Sequence, residues 1–219
     1  NDGKLDVVTT SATNSFNNKI SFVKGLGNGK FTTPVLRSSG KTSIYLENSD
    51  LNGDGNLDLV SANVTGISIF LGQGNGVFDS LTTYPLAGAK FVSLGDLNED
   101  GKKDIVVSSG INFRVLIANS GAPETFVMSG TTYNISGSLT NLKIADMNGD
   151  NHLDVITSGS NGIGVCLNNA ASLGNFLTGI NYTSGTNAFA LTIADIDNDG
   201  DNDVINSNKD SNTIGVLKN

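Results

Sequence analysis

A nine-residue acidic motif recurs along the chain and constrains its fold more than any other feature. The motif reads D-x-[DN]-x-D-[GN]-x-x-D and occurs in full at residues 50–58, 96–104, 146–154 and 195–203, while residues 1–6 keep the end of a fifth copy. These five windows hold 16 of the 18 aspartates of the chain. A generic acidic surface would scatter its carboxylates, so the clustering requires a common structural cause.

The four complete motifs begin 46, 50 and 49 residues apart, which indicates a chain built from repeats. In each repeat an alternating apolar run precedes the motif and a β-branched run follows it. A third apolar run then leads into a Gly/Asn-rich turn, and Asn-Gly between apolar runs is the strongest short signal for a hairpin. Each repeat is therefore predicted to be a four-stranded antiparallel meander with the acidic motif in its first hairpin.

Four-stranded repeats of this length are typical of β-propellers, in which blades are arranged radially. We predict an all-β chain whose residues 1–219 form a single propeller domain or part of one, with blades of about 49 residues. The predicted repeats are 1–40 (partial), 41–88, 89–136, 137–186 and 187–219 (partial). The first lacks its first strand and the last lacks its fourth, so the strand count fits neither a four-bladed nor a five-bladed ring. We expect the chain to be a segment of a larger propeller.

The overall composition narrows the class of protein. Charged residues make up only 16% of the chain, whereas Gly (27) and Asn (29), which both tolerate positive φ, are abundant. No apolar run approaches the roughly 18 residues of a membrane helix, so direct membrane insertion is not expected. The net charge of −8 argues against nucleic-acid binding, which needs a basic surface. The single cysteine, Cys166, excludes an internal disulfide and is predicted to be buried.

The spacing of the motif predicts a calcium site. Side chains at positions one, three, five and nine can converge with the carbonyl of position seven, because Gly at position six permits a sharp turn. All these donors are oxygens, and a set of this size favours Ca²⁺ over zinc, copper or Mg²⁺. The motif is similar to the start of an EF-hand loop but lacks Glu at position twelve. The alternative, that the copies are only solvated turns, is less favoured because four copies share one spacing.

Four complete sites and the remains of a fifth are predicted, and the fourth is expected to bind most tightly because Asp197 replaces Asn at position three. The ligands are Asp50, Asn52, Asp54, Asn56 (carbonyl) and Asp58; Asp96, Asn98, Asp100, Lys102 (carbonyl) and Asp104; Asp146, Asn148, Asp150, His152 (carbonyl) and Asp154; Asp195, Asp197, Asp199, Asp201 (carbonyl) and Asp203; and Asp2 with Asp6.

The acidic motif, the apolar strand after it and the G-N-G-x-F hairpin, as at residues 74–78, resemble the FG-GAP/VCBS repeats. These repeats occur in integrin α-subunit propellers and in many secreted bacterial proteins, and the resemblance covers essentially the whole chain. It implies calcium in the first hairpin of each blade and a complete propeller of about seven blades. The chain departs from the pattern at Asn151, where Gly is usual, and at Lys103 and Asn202, where an apolar residue is usual.

Calcium sites of extracellular modules bind with Kd of about 10⁻⁴–10⁻³ M, which predicts a location outside the cytosol. The absence of disulfides and the many Asn, Ser and Thr residues favour a bacterial secreted or cell-surface protein. The preferred hypothesis is a binding or adhesion module, lectin-like, with a glycan or protein ligand at the cell surface and further blades of the same polypeptide as neighbours. The loops expected to face this ligand are 14–19, 38–41, 133–141 and 206–212.

Two other classes of function stay open at this point. One is an architectural spacer in a large surface protein. The other is a propeller enzyme such as a polysaccharide lyase, which the sequence favours least because it has one histidine and no Ser-His-Asp or Cys-His set. No catalytic residue is predicted.

Overall fold

The computed structural model describes residues 2–10, 18–122, 124–135 and 137–219. These residues contain 19 β-strands and no α-helix, which confirms the all-β prediction; none of the described segments is therefore a helix able to cross a membrane. The chain divides into two compact units, Asn1–Val92 and Ser93–Asn219.

The first unit contains two antiparallel sheets in which consecutive strands are neighbours. The first sheet has three strands: β1 (Val7–Thr10), β2 (Lys19–Val23) and β3 (Val35–Ser38). The second has four strands: β4 (Ser43–Ser49), β5 (Asp58–Asn63), β6 (Gly66–Gly72) and β7 (Phe78–Pro85). The acidic motif at 50–58 connects β4 to β5, so it lies in the first hairpin of its meander as predicted.

Three further antiparallel sheets follow. The third sheet comprises β8 (Ala89–Gly95), β9 (Asp104–Ser109), β10 (Asn112–Ala118), β11 (Phe126–Met128) and β12 (Tyr133–Asn134). The fourth comprises β13 (Leu139–Ala145), β14 (Asp154–Gly159), β15 (Gly162–Cys166) and β16 (Ile180–Tyr182), and the fifth β17 (Ala188–Ala194), β18 (Asp203–Asn208) and β19 (Thr213–Leu217). In the third sheet β11 and β12 both pair with β10 and are separated by residues 129–132, whereas β7 of the second sheet is one continuous fourth strand. The five antiparallel sheets are consistent with propeller-like blades.

Burial differs between the strands of each sheet and explains the β-branched runs. Every residue of β5 and of β14 is buried, whereas all of β16 is exposed. In the first unit Ile20 of β2 packs with Leu59 and Phe70 of the next sheet. In the second unit Ile156 and Ile163 pack with residues of β17 and β18, such as Leu191 and Val204. Within each unit the apolar faces of adjacent sheets therefore form the core. The hairpins lie at the ends of the sheets.

Candidate metal centres

The acidic motif folds into the same turn in all four complete copies. The sixth residue has positive φ in each: Gly55 (83°), Gly101 (83°), Asn151 (66°) and Gly200 (98°). Glycine adopts this conformation without steric cost, and Asn is one of the few other residues that tolerate it. The departure at Asn151 therefore leaves the turn unchanged. The fourth residue also has positive φ in every copy: Gly53, Glu99, Gly149 and Asn198.

The first aspartate of the motif accepts hydrogen bonds from the backbone of its own turn. In the first complete copy, Asp50 Oδ1 accepts from the Gly53 N–H at 2.7 Å and Oδ2 from the Gly55 N–H at 2.9 Å. Equivalent pairs form at Asp146 with Gly149 and Asn151 and at Asp195 with Asn198 and Gly200; at Asp96 the partners are Gly101 and, one position later than Gly53, Asp100. This carboxylate thus holds the turn in shape.

The ninth aspartate is buried and connects the motif to the far end of the third strand. Asp58 has no exposed surface; its Oδ2 accepts from the Leu51 N–H and its Oδ1 from the Gly72 N–H, each at 2.8 Å. The other copies repeat this arrangement: Asp104 with Leu97 and Ala118, Asp154 with Met147 and Asn168, and Asp203 with Ile196 and Asn219. The spacing of the motif predicts these aspartates as ligands but does not reveal this second role.

Burial leaves the ninth aspartates with an uncompensated charge. Burial, with smaller contributions from the Asp100 and Asp96 carboxylates, raises the pKa of Asp104 to about 6, although two backbone hydrogen bonds oppose the shift. Burial raises the pKa of Asp58 and of Asp154 for the same reasons. Among the described residues, no basic side chain forms an ion pair with any of the four ninth aspartates. A cation placed beside them would supply the missing charge.

The fourth motif brings three of its carboxylates together. One oxygen each of Asp195, Asp197 and Asp203 lie within 4.8 Å of one another, which corresponds to positions one, three and nine. Each carboxylate oxygen has two lone pairs, so an oxygen that accepts one backbone hydrogen bond can still bind a metal. In the other three copies a neutral Asn stands at position three, and its amide oxygen is also a ligand that hard cations accept. The donor chemistry therefore fits Ca²⁺.

The fifth and seventh positions are connected to each other. Asp54 Oδ1 accepts from the Asn56 N–H at 2.7 Å, and this bond lowers the pKa of Asp54. The same bond joins Asp100 to Lys102, Asp150 to His152 and Asp199 to Asp201. Asp199 does not belong to the close group of three carboxylates in its own loop. Ligation by the fifth side chains and by the seventh carbonyls stays a prediction.

The incomplete copy at the start of the chain keeps part of this arrangement. Asp6 Oδ1 accepts from the Gly25 N–H at 2.8 Å, which is the contact that a ninth aspartate makes in the complete copies. Asp2 accepts from the Lys4 N–H and lies 3.2 Å from Lys24 Nζ, and both contacts lower its pKa.

Neighbouring motifs of the second unit also contact each other. Asn168 Nδ2 donates to the Leu97 carbonyl at 2.8 Å, and Asn219 Nδ2 donates to the Met147 carbonyl at 2.6 Å, so each joins its own sheet to the preceding motif. Asn202 donates likewise to the Asp146 carbonyl. These asparagines are not among the predicted site residues, although the recurrence of Asn at the same place after the third strand of two repeats is a signal in the sequence. The third motif also contacts the second through His152, whose Nδ1 lies 2.5 Å from Glu99 Oε1.

These sheets and loops define a class of protein: an antiparallel repeat protein with an acidic turn in the first hairpin of each repeat. A family model described as FG-GAP-like repeat matches residues 50–107 and 146–205, which together exceed half of the chain. The chain belongs to the FG-GAP-like repeat family. No curated protein sequence gives a significant match.

Solved structures share this fold at low sequence identity. A lectin from Agrocybe aegerita that recognises non-reducing terminal N-acetylglucosamine is 17% identical, with a TM-score of 0.58 over 94% of this chain and 61% of its own. The V. cholerae biofilm matrix protein Bap1 is 18% identical, with a TM-score of 0.59 over 99% and 35%. A functionally unknown protein from Desulfotomaculum acetoxidans is 14% identical, with a TM-score of 0.61 over 97% and 65%. The chain thus spans less than two thirds of each of these relatives.

Proposed function

We propose that the chain forms calcium-binding blades of an extracellular β-propeller that acts as a binding or adhesion module. The observation that carries the proposal is the buried ninth aspartate, which recurs four times and, among the described residues, forms no ion pair with a basic side chain, although Lys218 lies near Asp203. A divalent cation held by the oxygens of positions one, three, five and nine would neutralise this charge. Bound calcium would then fasten the first hairpin of each blade to the end of its third strand.

The ligand proposed for the module is a glycan or a protein at the cell surface. Two structural relatives support this choice, because one is a lectin and the other a biofilm matrix protein. Of the loops predicted to face the ligand, residues 14–17 lie outside the described part of the chain. Asn206 and Asn208 are only 2% exposed, and residues 206–208 belong to β18, so the turn itself comprises residues 209–212.

An exposed aromatic residue marks this end of the fifth sheet. Phe189 is 51% exposed near the start of β17, away from the acidic turn that follows the strand. Lys209 Nζ lies 5.6 Å from the centre of its ring, and Asn187 Nδ2 donates to Asp210 Oδ2 beside it. An aromatic ring with polar side chains beside it offers both apolar and hydrogen-bonding contacts to a ligand. We therefore place the candidate ligand contact at Phe189 and the turn 209–212.

A glycan array, read with calcium and with EDTA, tests the proposed module. We expect binding of a restricted set of glycans, loss of that binding with Phe189→Ala, and retention with Val127→Ala, which removes an exposed apolar side chain from another sheet. If the folded protein binds no glycan and no surface protein, an architectural spacer is the better assignment. The relationship to a matrix protein makes that the second candidate.

We further propose that the module is not an enzyme, in contrast to the alternative hypothesis of a polysaccharide lyase. The imidazole of His152 is already paired with Glu99. Burial, with a smaller contribution from Asp154, raises the pKa of the Cys166 thiol to about 12, so little reactive thiolate forms at neutral pH. Incubation with acidic polysaccharides should produce no unsaturated product by ultraviolet absorbance; an increase that depends on enzyme concentration would contradict this assignment.

A further inference from the structure

The fourth acidic motif makes a contact between two charged residues that the other complete motifs lack in their sequence. Lys218 Nζ donates to Asp197 Oδ2 at 2.9 Å. Asp197 is the third residue of its motif and belongs to the close group of carboxylates with Asp195 and Asp203. A basic side chain of the protein thus binds one of the oxygens that converge there.

The two partners of this contact replace uncharged residues of the other repeats. Position three is neutral in the other complete motifs, which carry Asn52, Asn98 and Asn148. Lys218 directly precedes Asn219, whose N–H donates to the ninth aspartate. In the other complete repeats the equivalent position is apolar, with Leu71, Ile117 and Leu167. Among the complete motifs, the additional carboxylate and the lysine therefore occur together only in the fourth; the incomplete first copy has Lys24 at the place of the lysine, 3.2 Å from Asp2 at position five.

The backbone beside Lys218 is fixed to the same group of residues. The Asn219 N–H donates to Asp203 Oδ1 at 2.9 Å, and its side-chain amide donates to the Met147 carbonyl. On the other side of Lys218, Leu217 ends β19 and pairs with Val204. Because both neighbours are held, the lysine side chain starts from a defined position beside the loop, so less chain entropy is lost when its ammonium group reaches Asp197.

We infer that Lys218 is a built-in counter-cation that competes with Ca²⁺ for Asp197 and lowers the calcium affinity of the fourth motif. The inference rests on the proposed calcium site at residues 195–203. A carboxylate in place of Asn adds one negative charge to the site, and the ammonium group cancels it. A calcium ion must therefore either displace the ammonium group or bind beside a positive charge, and both are unfavourable. The charge of Asp197 alone predicts the tightest site of the four; the ion pair removes that advantage.

The experiment is a calcium titration of the ¹⁵N-glycine-labelled protein, followed by NMR. Gly200, whose N–H donates to Asp195, reports on the fourth motif, while Gly55 and Gly101 report on the first and second. Lys218→Gln removes the ammonium group and keeps the chain length. Lys209→Gln is the matched control, because it makes the same change of charge at the opposite end of the sheet. Lys218→Arg keeps the positive charge.

We expect Lys218→Gln to lower the calcium concentration at the Gly200 midpoint by about three- to tenfold, and the Gly55 and Gly101 midpoints to stay in place. Lys209→Gln and Lys218→Arg should leave the Gly200 midpoint within about twofold of the original protein. A Gly200 midpoint that is unchanged or higher in Lys218→Gln overturns the inference while leaving calcium binding intact. If Gly200 does not respond to calcium in any protein, this inference and the proposed site both fail.

Discussion

At Asp104, a fully buried carboxylate accepts backbone hydrogen bonds from Leu97 and Ala118, while burial and, to a smaller extent, two further carboxylates of the same motif raise its pKa. The hydrogen bonds give the residue a role in folding that does not require a metal. Its negative charge would also contribute to the proposed calcium site. The fifth aspartate, Asp100, accepts only exposed hydrogen bonds, from the Lys102 N–H and the Ser120 hydroxyl, so a substitution there affects folding less than one at Asp104.

We predict that Asp104→Asn lowers the free energy of unfolding by about 1–3 kcal/mol in EDTA, because one of the two backbone N–H groups then faces an amide donor and loses its acceptor. Asp100→Asn should cost less than about 1 kcal/mol under the same conditions, since its side chain is exposed. Urea unfolding with and without calcium measures both effects. Equal costs in EDTA would show that the buried hydrogen bonds do not stabilise the fold.

A second prediction at the residue scale concerns pH. Because the pKa of Asp104 is higher in the folded than in the unfolded chain, the folded state binds more protons between about pH 4 and pH 6. In EDTA this residue therefore lowers the stability as the pH rises through that window, and Asp58 and Asp154 act in the same direction. Calcium requires the ionised carboxylates, so its stabilising effect should grow over the same window.

Thermal unfolding at pH 4, 5, 6 and 7, in EDTA and in calcium, measures this linkage. The difference in melting temperature between the two series should increase from pH 4 to pH 6. Asp104→Asn should reduce that increase, because its amide does not titrate. A difference that is independent of pH would contradict the role of the buried carboxylates.

Between elements, the fourth sheet is connected to the acidic motif of the preceding repeat through one side chain. Asn168 is 2% exposed and takes part in four hydrogen bonds: its N–H donates to Asp154, its amide donates to the Leu97 and Leu153 carbonyls, and its oxygen accepts from the Gly174 N–H. The same side chain thus joins a third strand, a hairpin turn and a neighbouring motif. Asn219 repeats the contact to the preceding motif.

We predict that Asn168→Ala destabilises the protein by about 2–4 kcal/mol, because it leaves the Leu97 carbonyl and the Gly174 N–H without partners in a buried position. Asn169→Ala is the control, since this neighbour is half-buried and its side chain accepts a bond from the Ala171 N–H at the turn; its cost should stay below about 1 kcal/mol. Hydrogen exchange of the Gly174 N–H gives a local readout. Equal stability of the two variants would contradict the assignment.

At the scale of the whole molecule, each complete acidic motif makes the same connection to a third strand within its own sheet. Every complete motif occupies the first hairpin of its sheet, and every ninth aspartate binds the end of a third strand in that same sheet. Calcium at such positions would stabilise each sheet separately. Its effect on the molecule should therefore be a sum of modest contributions.

We predict a calcium-dependent increase in melting temperature that EDTA reverses. At free calcium tenfold above Kd, each site contributes about 1.4 kcal/mol. Summed over the sites, this is a large share of the about 5–15 kcal/mol typical of a folded domain. Differential scanning calorimetry in calcium, magnesium and EDTA measures it, with magnesium as the matched control ion. A melting temperature that is the same in all three would contradict calcium binding.

The local structure of the repeats was predictable from sequence, because it depends on residues close together in the chain. The turn at Asn151, the β-branched run of β14 and the burial of Cys166 each follow from local spacing and residue type. The divided fourth strand β11/β12 was not predicted, since pairing with β10 on either side of residues 129–132 is a tertiary property. The repeat boundaries and the metal ligands stay predictions.

The sequence by itself determined the family, the antiparallel repeats and the oxygen-rich donor set, because one motif at one spacing recurs through the chain. The tertiary structure decided how those donors are used. It buries the ninth aspartate against the third strand, joins successive motifs through Asn168 and Asn219, and brings Lys218 to Asp197. These contacts connect residues 14 to 72 positions apart, so only the packing of strands and sheets brings them together.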